Sequence, residues 1–128
     1  MKRVTGIGGI FFKSEDAPKL RDWYKDHLGI DVTEWGGAVF NWRQAEDPEQ
    51  KGLTVWSIFP ATSKYLDPSN KPFMINYRVE NLDELIAQLR KEGVVVEDKI
   101  AEEENGRFAW VMDPEGNRIE LWEPAEGF

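Results

Sequence analysis

The chain has 128 residues, with 16 Lys and Arg against 24 Asp and Glu, which gives a formal net charge of −8. It contains six Trp and one His but no Cys, so disulfides, thiolate nucleophiles and cysteine-based metal sites are excluded. The acidic balance argues against nucleic-acid and anionic-membrane binding, because both need a basic surface. The length predicts one domain over residues 1–128, and the lack of a signal-peptide or transmembrane run predicts a cytoplasmic protein.

A strand and a helix come first along the chain. Residues 10–29 predict a short strand, a polar turn and a helix that ends at Gly29. Apolar residues recur at three- and four-residue spacing along this helix, at Leu20, Trp23, Tyr24 and Leu28. Strand-like stretches follow at residues 30–32, 38–43 and 53–59. The first half is therefore predicted to have the order βαβββ.

The second half repeats this order. Residues 75–93 predict a strand, a polar turn and a helix whose apolar face contains Leu82, Leu85, Ile86 and Leu89. Strand-like stretches follow at residues 94–96, 108–112 and 118–123, and residues 113–117 carry the turn residues of a hairpin. We therefore predict an α+β fold of two βαβββ modules in tandem, over about residues 5–62 and 72–124.

This pair of βαβββ modules resembles the vicinal oxygen chelate superfamily, which includes glyoxalase I, extradiol dioxygenases and bleomycin-resistance proteins. The resemblance covers nearly the whole chain and is most specific in residues 9–13, 23–29 and 113–124. It implies a curved, half-barrel mixed sheet with the helices outside and a ligand site inside the curve. It also implies a homodimer.

Strand alternation predicts which side chains face the concave side of the sheet. In residues 74–79 the apolar Ile75, Tyr77 and Val79 are expected under the helices, which leaves the alternate residues on the other face. Applied to three strands, and with the repeat between the modules used to match Trp56 to Glu120 in the strand at residues 54–58, this rule predicts a concave face that contains Phe11, Trp56, Met74, Asn76, Arg78, Arg118, Glu120 and Trp122. An aromatic pocket with a few polar groups is typical of a small-molecule site. The alternative is that these side chains fill the concavity or a dimer interface.

A metal site is not expected. By the resemblance, metal-dependent members place one ligand on the first strand and one on the last strand of each module. The matching positions here are Gly9, Trp56, Met74 and Glu120, of which Glu120 alone offers a ligand for a hard or borderline divalent cation. The single histidine, His27, is expected as a partly exposed residue near the end of the first helix. We therefore predict no cofactor and no metal ligands.

Glu120 is the candidate catalytic residue. It is expected to lie in mid-strand beside indole rings, where desolvation disfavours a charged carboxylate, so it could act as a general base or as the counter-charge of a cationic ligand. The alternative is a salt bridge across the sheet with Arg118 or Arg78. Those two arginines could instead hold a carboxylate or phosphate group of a ligand.

Three functions are compatible with these residues. The favoured one is metal-independent binding of a small aromatic or cationic molecule, similar in kind to the bleomycin-resistance proteins, with Phe11, Trp56 and Trp122 as stacking anchors. The second is a glyoxalase-type lyase, isomerase or dioxygenase with Glu120 as base or metal ligand. The third is an interaction domain that has no small ligand.

Overall fold

The computed structural model describes residues 2–128, which form two helices and eight strands in a single mixed sheet. The elements are, in chain order, β1 (Val4–Ser14), α1 (Ala17–Leu28), β2 (Gly37–Arg43), β3 (Lys51–Pro60), β4 (Phe73–Val79), α2 (Leu82–Lys91), β5 (Val95–Val96), β6 (Ala101–Glu103), β7 (Gly106–Met112) and β8 (Arg118–Pro124). The sheet order is β2-β3-β1-β4-β8-β7-β5, and β6 pairs with β7. The predicted α+β class is confirmed.

The two halves of the sheet are built alike. β1 pairs with β3 in parallel, β4 pairs with β8 in parallel, and the two halves meet where β1 and β4 run antiparallel. The predicted hairpin at residues 113–117 joins β7 to β8. Asp113 closes it, because its Oδ1 accepts main-chain hydrogen bonds from Glu115 and Asn117, each at 2.9 Å. The hydrogen bond from the Asn117 side chain, together with these main-chain bonds, holds the pKa of Asp113 below its usual range.

Both helices begin at an Asp or Asn of the predicted polar turn, and α1 ends at the predicted glycine. The Asp16 side chain accepts from the Lys19 main chain at 3.2 Å at the start of α1, and Asn81 does the same for α2. Gly29 ends α1 with a φ of 66°, a conformation that favours glycine. In the described part of the chain, neither helix is both long and apolar enough to cross a membrane.

Three expectations about local structure are wrong. Residues 30–32 form no strand, because Ile30 and Val32 pack under α1 instead of pairing with the sheet. β6 lies between residues 96 and 108, where no strand was predicted. Within the predicted apolar face of α1, Trp23 and Leu28 are exposed, and Trp23 packs against His27 at 5.0 Å between ring centroids. The apolar face of α1 is wider than the part of it that contacts the sheet, so the residues at its edge are exposed to solvent.

The core lies on both sides of the sheet. On the helix side, α2 and the sheet share a cluster of Val79, Leu82, Leu85, Ile86, Ala109, Val111 and Leu121, and α1 and the sheet share a cluster of Ala17, Ala38, Trp56 and Ile58. A third cluster lies on the concave side and contains Phe11, Leu66, Met74 and Trp110. This third cluster is the one that surrounds the predicted site.

Candidate functional site

Strand register brings seven of the eight predicted site residues together on the concave face. Phe11 pairs with Met74 across β1 and β4, and on β4 and β8 Asn76 pairs with Glu120 and Arg78 with Trp122. Arg118 precedes them on β8 and reaches towards Met74. All seven side chains are buried.

Trp56 is the exception, and its predicted position on the concave face is wrong. It pairs with Ile10 and lies on the helix side, where its ring centroid is 5.8 Å from that of Phe12 and 5.1 Å from that of Tyr24. The repeat in the sequence matched Trp56 of the first module to Glu120 of the second, and on β3 this match is wrong by one residue. Because side chains alternate along a strand, a shift of one residue exchanges the faces and leaves Ser57 towards the concave side.

Ser57, and not Trp56, is the counterpart of Glu120. In the first module Phe11 pairs with Ser57, and in the second module Asn76 pairs with Glu120 in the same parallel arrangement. Phe59 follows two residues later on the same face and packs against Phe11 at 5.6 Å between ring centroids.

Glu120 is a buried carboxylate that is held by neutral donors. Its side chain is 2% exposed. Its Oε1 accepts from Asn76 Nδ2 at 2.7 Å, and its Oε2 accepts from Trp110 Nε1 at 2.9 Å and Tyr65 Oη at 2.5 Å. The alternative salt bridge with Arg118 or Arg78 is not formed.

Tyr65 and Trp110 were not predicted as site residues. Trp110 could have been found, because strand alternation on β7 places it next to Phe108 and Met112 on one face. Tyr65 carries no such signal, since it lies in the connection between β3 and β4. Burial raises the pKa of the Tyr65 phenol, and the charge and hydrogen bond of Glu120 raise it further, so Tyr65 stays a donor at neutral pH.

The connection between β3 and β4, residues 61–72, fills the concavity. Leu66 is 0% exposed and packs in the cluster with Phe11, Met74 and Trp110. The Tyr65 ring lies 5.5 Å from that of Phe59, and Ser69 Oγ donates to the main-chain oxygen of Gly116 at 2.9 Å. The concave face is therefore packed against side chains of this connection.

The two predicted arginines have different surroundings. Arg118 donates to both carboxylate oxygens of Glu97 at 2.8 Å, and its Cζ lies 4.8 Å from the ring centroid of Trp110. Its charge is thus already compensated by a carboxylate. Arg78 has no Asp or Glu partner among residues 2–128; it donates to an oxygen of Phe128 at 2.9 Å, and burial lowers its pKa.

Two large cavities open on the surface of the described chain. One, of about 750 Å³, lies at the end of the sheet and is lined by Arg78, Trp42, Thr5 and Gln44 among others. The other, of about 670 Å³, is an apolar groove beside α2 that contains Tyr77, Leu89 and Ile119. Of the predicted site residues, Arg78 alone lines either of these two cavities.

The groups around Glu120 do not fit a metal ion. Asn76 directs its Nδ2, and not its Oδ1, at the carboxylate, and Trp110 and Tyr65 also present donors to it, so these three groups cannot ligate a metal ion together with Glu120 in that orientation. At Gly9 an added Cβ would lie 2.6 Å from the Phe11 ring, so a ligating side chain has no space there. Residues 2–128 contain no cluster of three His, Cys, Asp or Glu that could hold a metal.

Known proteins share this fold. The model of the Glyoxalase/Bleomycin resistance protein/Dioxygenase superfamily matches residues 6–121. The methylmalonyl-CoA epimerase of Mycobacterium tuberculosis is similar at 23% identity and a TM-score of 0.60, over 98% of this chain and 91% of that one. The Streptomyces coelicolor methylmalonyl-CoA epimerase in complex with 2-nitronate-propionyl-CoA is similar at 19% identity and a TM-score of 0.67, over 95% and 99%.

A structure described as an NAD-dependent benzaldehyde dehydrogenase from Legionella pneumophila is similar at 13% identity and a TM-score of 0.59, over 91% of this chain and 98% of that one. Identities this low establish a common fold only. A comparison with curated protein sequences found no match.

Proposed function

Since the chain belongs to the Glyoxalase/Bleomycin resistance protein/Dioxygenase superfamily, we propose that it binds a small organic molecule on its concave face without a metal, and that this molecule carries a cationic or aromatic group. The observation that carries the proposal is Glu120, a buried carboxylate whose three hydrogen-bond donors are neutral.

A cationic ligand fits the charge of this face. A buried carboxylate that is hydrogen-bonded but not paired with a cation attracts a positive group strongly in the low-dielectric interior. Asn76 adds a second acceptor, because its Oδ1 is buried with no hydrogen-bond partner among residues 2–128. Trp110 and Phe11 offer ring surfaces for an aromatic part of the ligand or for its cation.

The ligand has to displace part of the chain. Tyr65 and Leu66 occupy the space beside Glu120, so binding requires residues 61–72 to move away from the sheet. Only molecules in which this segment has moved can bind the ligand. The apparent dissociation constant is therefore the intrinsic one divided by the fraction of molecules in which the face is open. Tyr65 is 43% exposed, so this segment reaches the surface and is the route of entry.

A second candidate is an isomerase or lyase in which Glu120 acts as a general base. The similarity to methylmalonyl-CoA epimerases in fold favours this candidate. The third, an interaction domain without a small ligand, is favoured by the packing of Leu66 into the concavity. The homodimer, the cytoplasmic location and the absence of nucleic-acid and membrane partners stay predictions.

Fluorescence titration tests the proposal, with benzyltrimethylammonium as the probe and benzyl alcohol as its neutral comparator. We expect Leu66→Ala to bind the cation more tightly than the unmodified protein, because the substitution weakens the packing that closes the face. Glu120→Gln should abolish the preference for the cation over the alcohol. Leu20→Ala, the same truncation on α1, is the control and should not change binding. If Leu66→Ala binds neither probe, the concave face is a packed core and the interaction domain is the better function.

A further inference from the structure

The concave face carries more hydrogen-bond acceptors than its own donors use. We propose that its ligand is an arylalkyl primary amine in the protonated form, whose ammonium group donates to Glu120 and to Asn76. This ligand class rests on the proposed function and narrows it, because it selects ammonium groups with N–H donors over quaternary ammonium groups, which have none. The acceptors, the space beside them and the hydration of the two kinds of cation lead to this choice.

The side-chain oxygen of Asn76 is the first acceptor. An ionised carboxylate has no donor, so Glu120 fixes the orientation of the Asn76 amide: its Nδ2 donates to Glu120 Oε1 at 2.7 Å, and its Oδ1 is turned away. Asn76 is 2% exposed, and its Oδ1 has no hydrogen-bond partner among residues 2–128. A buried acceptor without a partner is costly, so a donor that reaches this oxygen stabilises the complex.

Gly8 borders this oxygen and leaves little space beside it. An added Cβ at Gly8 would collide with Asn76 Oδ1 and would lie 2.9 Å from Trp122 Cε3. The φ of Gly8 is not positive, so glycine is needed here for space and not for backbone conformation. Such crowding disfavours a methyl group, which stays at van der Waals distance from an oxygen, and favours an N–H group, which approaches to about 2.7–3.2 Å.

Glu120 has the other acceptors. A carboxylate has about four lone-pair sites, and three of them are used here, by Asn76, Trp110 and Tyr65. Of these donors, Tyr65 alone belongs to the connection at residues 61–72, which has to move when the ligand binds. Two sites on Glu120 and one on Asn76 then lack a donor. A primary ammonium group has three N–H donors, so its donors match these acceptors in number.

Hydration decides between the two kinds of ammonium group. A primary ammonium is a compact, strongly hydrated charge, so its removal from water costs more than that of a quaternary ammonium. Aromatic surface by itself therefore favours the quaternary cation. Hydrogen bonds within the site reverse that order, because each one to a charged group strengthens binding by about tenfold or more. The preference between the two cations thus measures whether the acceptors of Glu120 and Asn76 are used.

The aromatic part of the amine has a ring surface to pack against. The ring centroid of Tyr65 lies 5.5 Å from that of Phe59, which lies 5.6 Å from that of Phe11. The Tyr65 hydroxyl, which is bonded directly to its ring, reaches Glu120 from this position. An ammonium group one carbon away from a ring therefore reaches the carboxylate when that ring takes the place of Tyr65 against Phe59.

Fluorescence titration of Leu66→Ala with benzylammonium and benzyltrimethylammonium tests the ligand class at neutral pH, where both probes carry one positive charge. We expect benzylammonium to bind about tenfold or more tightly, and N,N-dimethylbenzylammonium, which has one N–H, to bind with intermediate affinity. Asn76→Leu in the same background removes the Oδ1 acceptor and should reduce the ratio of the two affinities. The same substitution at Asn41, an exposed residue on the edge strand β2, is the matched control and should leave the ratio unchanged.

Equal affinities for the two cations, or tighter binding of the quaternary one, would overturn the primary amine. The proposed function would survive that result, because it needs only a preference for the cation over benzyl alcohol, whereas binding of neither cation would refute both. A ratio that Asn76→Leu does not change would refute the role of Asn76. If either variant does not fold, Tyr65→Phe removes the same donor from Glu120, and the order of the three cations measured on it gives the same decision.

Discussion

The hydrogen bond between Tyr65 and Glu120 joins the connection at residues 61–72 to the sheet, and Tyr65→Phe removes that bond alone. The substitution keeps the ring, and with it the contact of Tyr65 with Phe59 at 5.5 Å. Glu120 loses the donor at 2.5 Å and keeps Asn76 and Trp110. The variant therefore measures how much one polar contact stabilises the closed concave face.

The expected effect follows from the chemistry of that contact. Hydrogen bonds to charged groups contribute about 1.5–3 kcal/mol to stability. No cavity is created, because only the hydroxyl oxygen is lost. Water can reach the site from the exposed side of Tyr65 and replace part of the bond, so we expect the lower half of that range.

Urea unfolding at neutral pH measures the difference. The midpoint should fall while the slope of free energy against urea stays constant, since the folded and unfolded surfaces hardly change. Tyr77→Phe is the matched control, because the Tyr77 hydroxyl makes no hydrogen bond with another residue in the range 2–128, and it should change stability by less than about 0.5 kcal/mol. Equal losses in both variants, or no loss in Tyr65→Phe, would refute the reasoning.

Three further predictions concern Tyr65, Leu66 and Arg118, and the last two have an exposed residue as control. Because burial raises the pKa of Tyr65 in the folded chain, the phenol of the unfolded chain releases its proton first, near pH 10.0. The unmodified protein should therefore be more stable than Tyr65→Phe by the full amount below that pH, and by less above it. Urea midpoints measured below and above pH 10.0 will test this. Leu66→Ala should cost about 2–5 kcal/mol in urea unfolding. The exposed Leu28→Ala should cost less than about 0.5 kcal/mol, and similar losses at both positions would contradict the buried position of Leu66. Arg118→Gln should cost about 3 kcal/mol, since its carboxylate partner is left unpaired and only partly exposed. Arg3→Gln removes an exposed ion pair and should cost less than about 1 kcal/mol by the same measurement, so a larger loss there would contradict the burial argument.

The fold could be predicted from the sequence because its signals are local. The helix caps at Asp16 and Asn81, the glycine that ends α1 and the Asp113 hairpin each involve residues a few positions apart. The same is true of the repeated order of elements. Such signals act through backbone geometry and short-range hydrogen bonds, so they do not depend on how the sheet is assembled.

The position of Trp56 could not be predicted by the same means. Strand alternation divides the residues of a strand between the two faces of the sheet. It does not show which face packs against a helix when both faces carry apolar residues. On β3 both faces do: Trp56 and Ile58 pack under α1, whereas Val55 and Phe59 pack in the concave cluster. The pairing of Ile10 with Trp56 decides the question, and that pairing is tertiary.

The sequence by itself determined that this acidic, cysteine-free chain forms two similar modules, and it placed Glu120 on the inner face with Asn76 and Trp122. Only the tertiary structure decided the surroundings of that carboxylate. Tyr65 and Leu66 come from a connection with no periodic pattern, and they reach Glu120 and Met74 because the sheet curves towards them. Likewise, the distribution of the arginines, with Arg118 paired to Glu97 and Arg78 in an open cleft, depends on contacts between residues far apart in the chain. The reason is that periodicity in a sequence indicates which residues share a face of one helix or strand. Ion pairs and solvent exposure depend instead on which elements pack against one another.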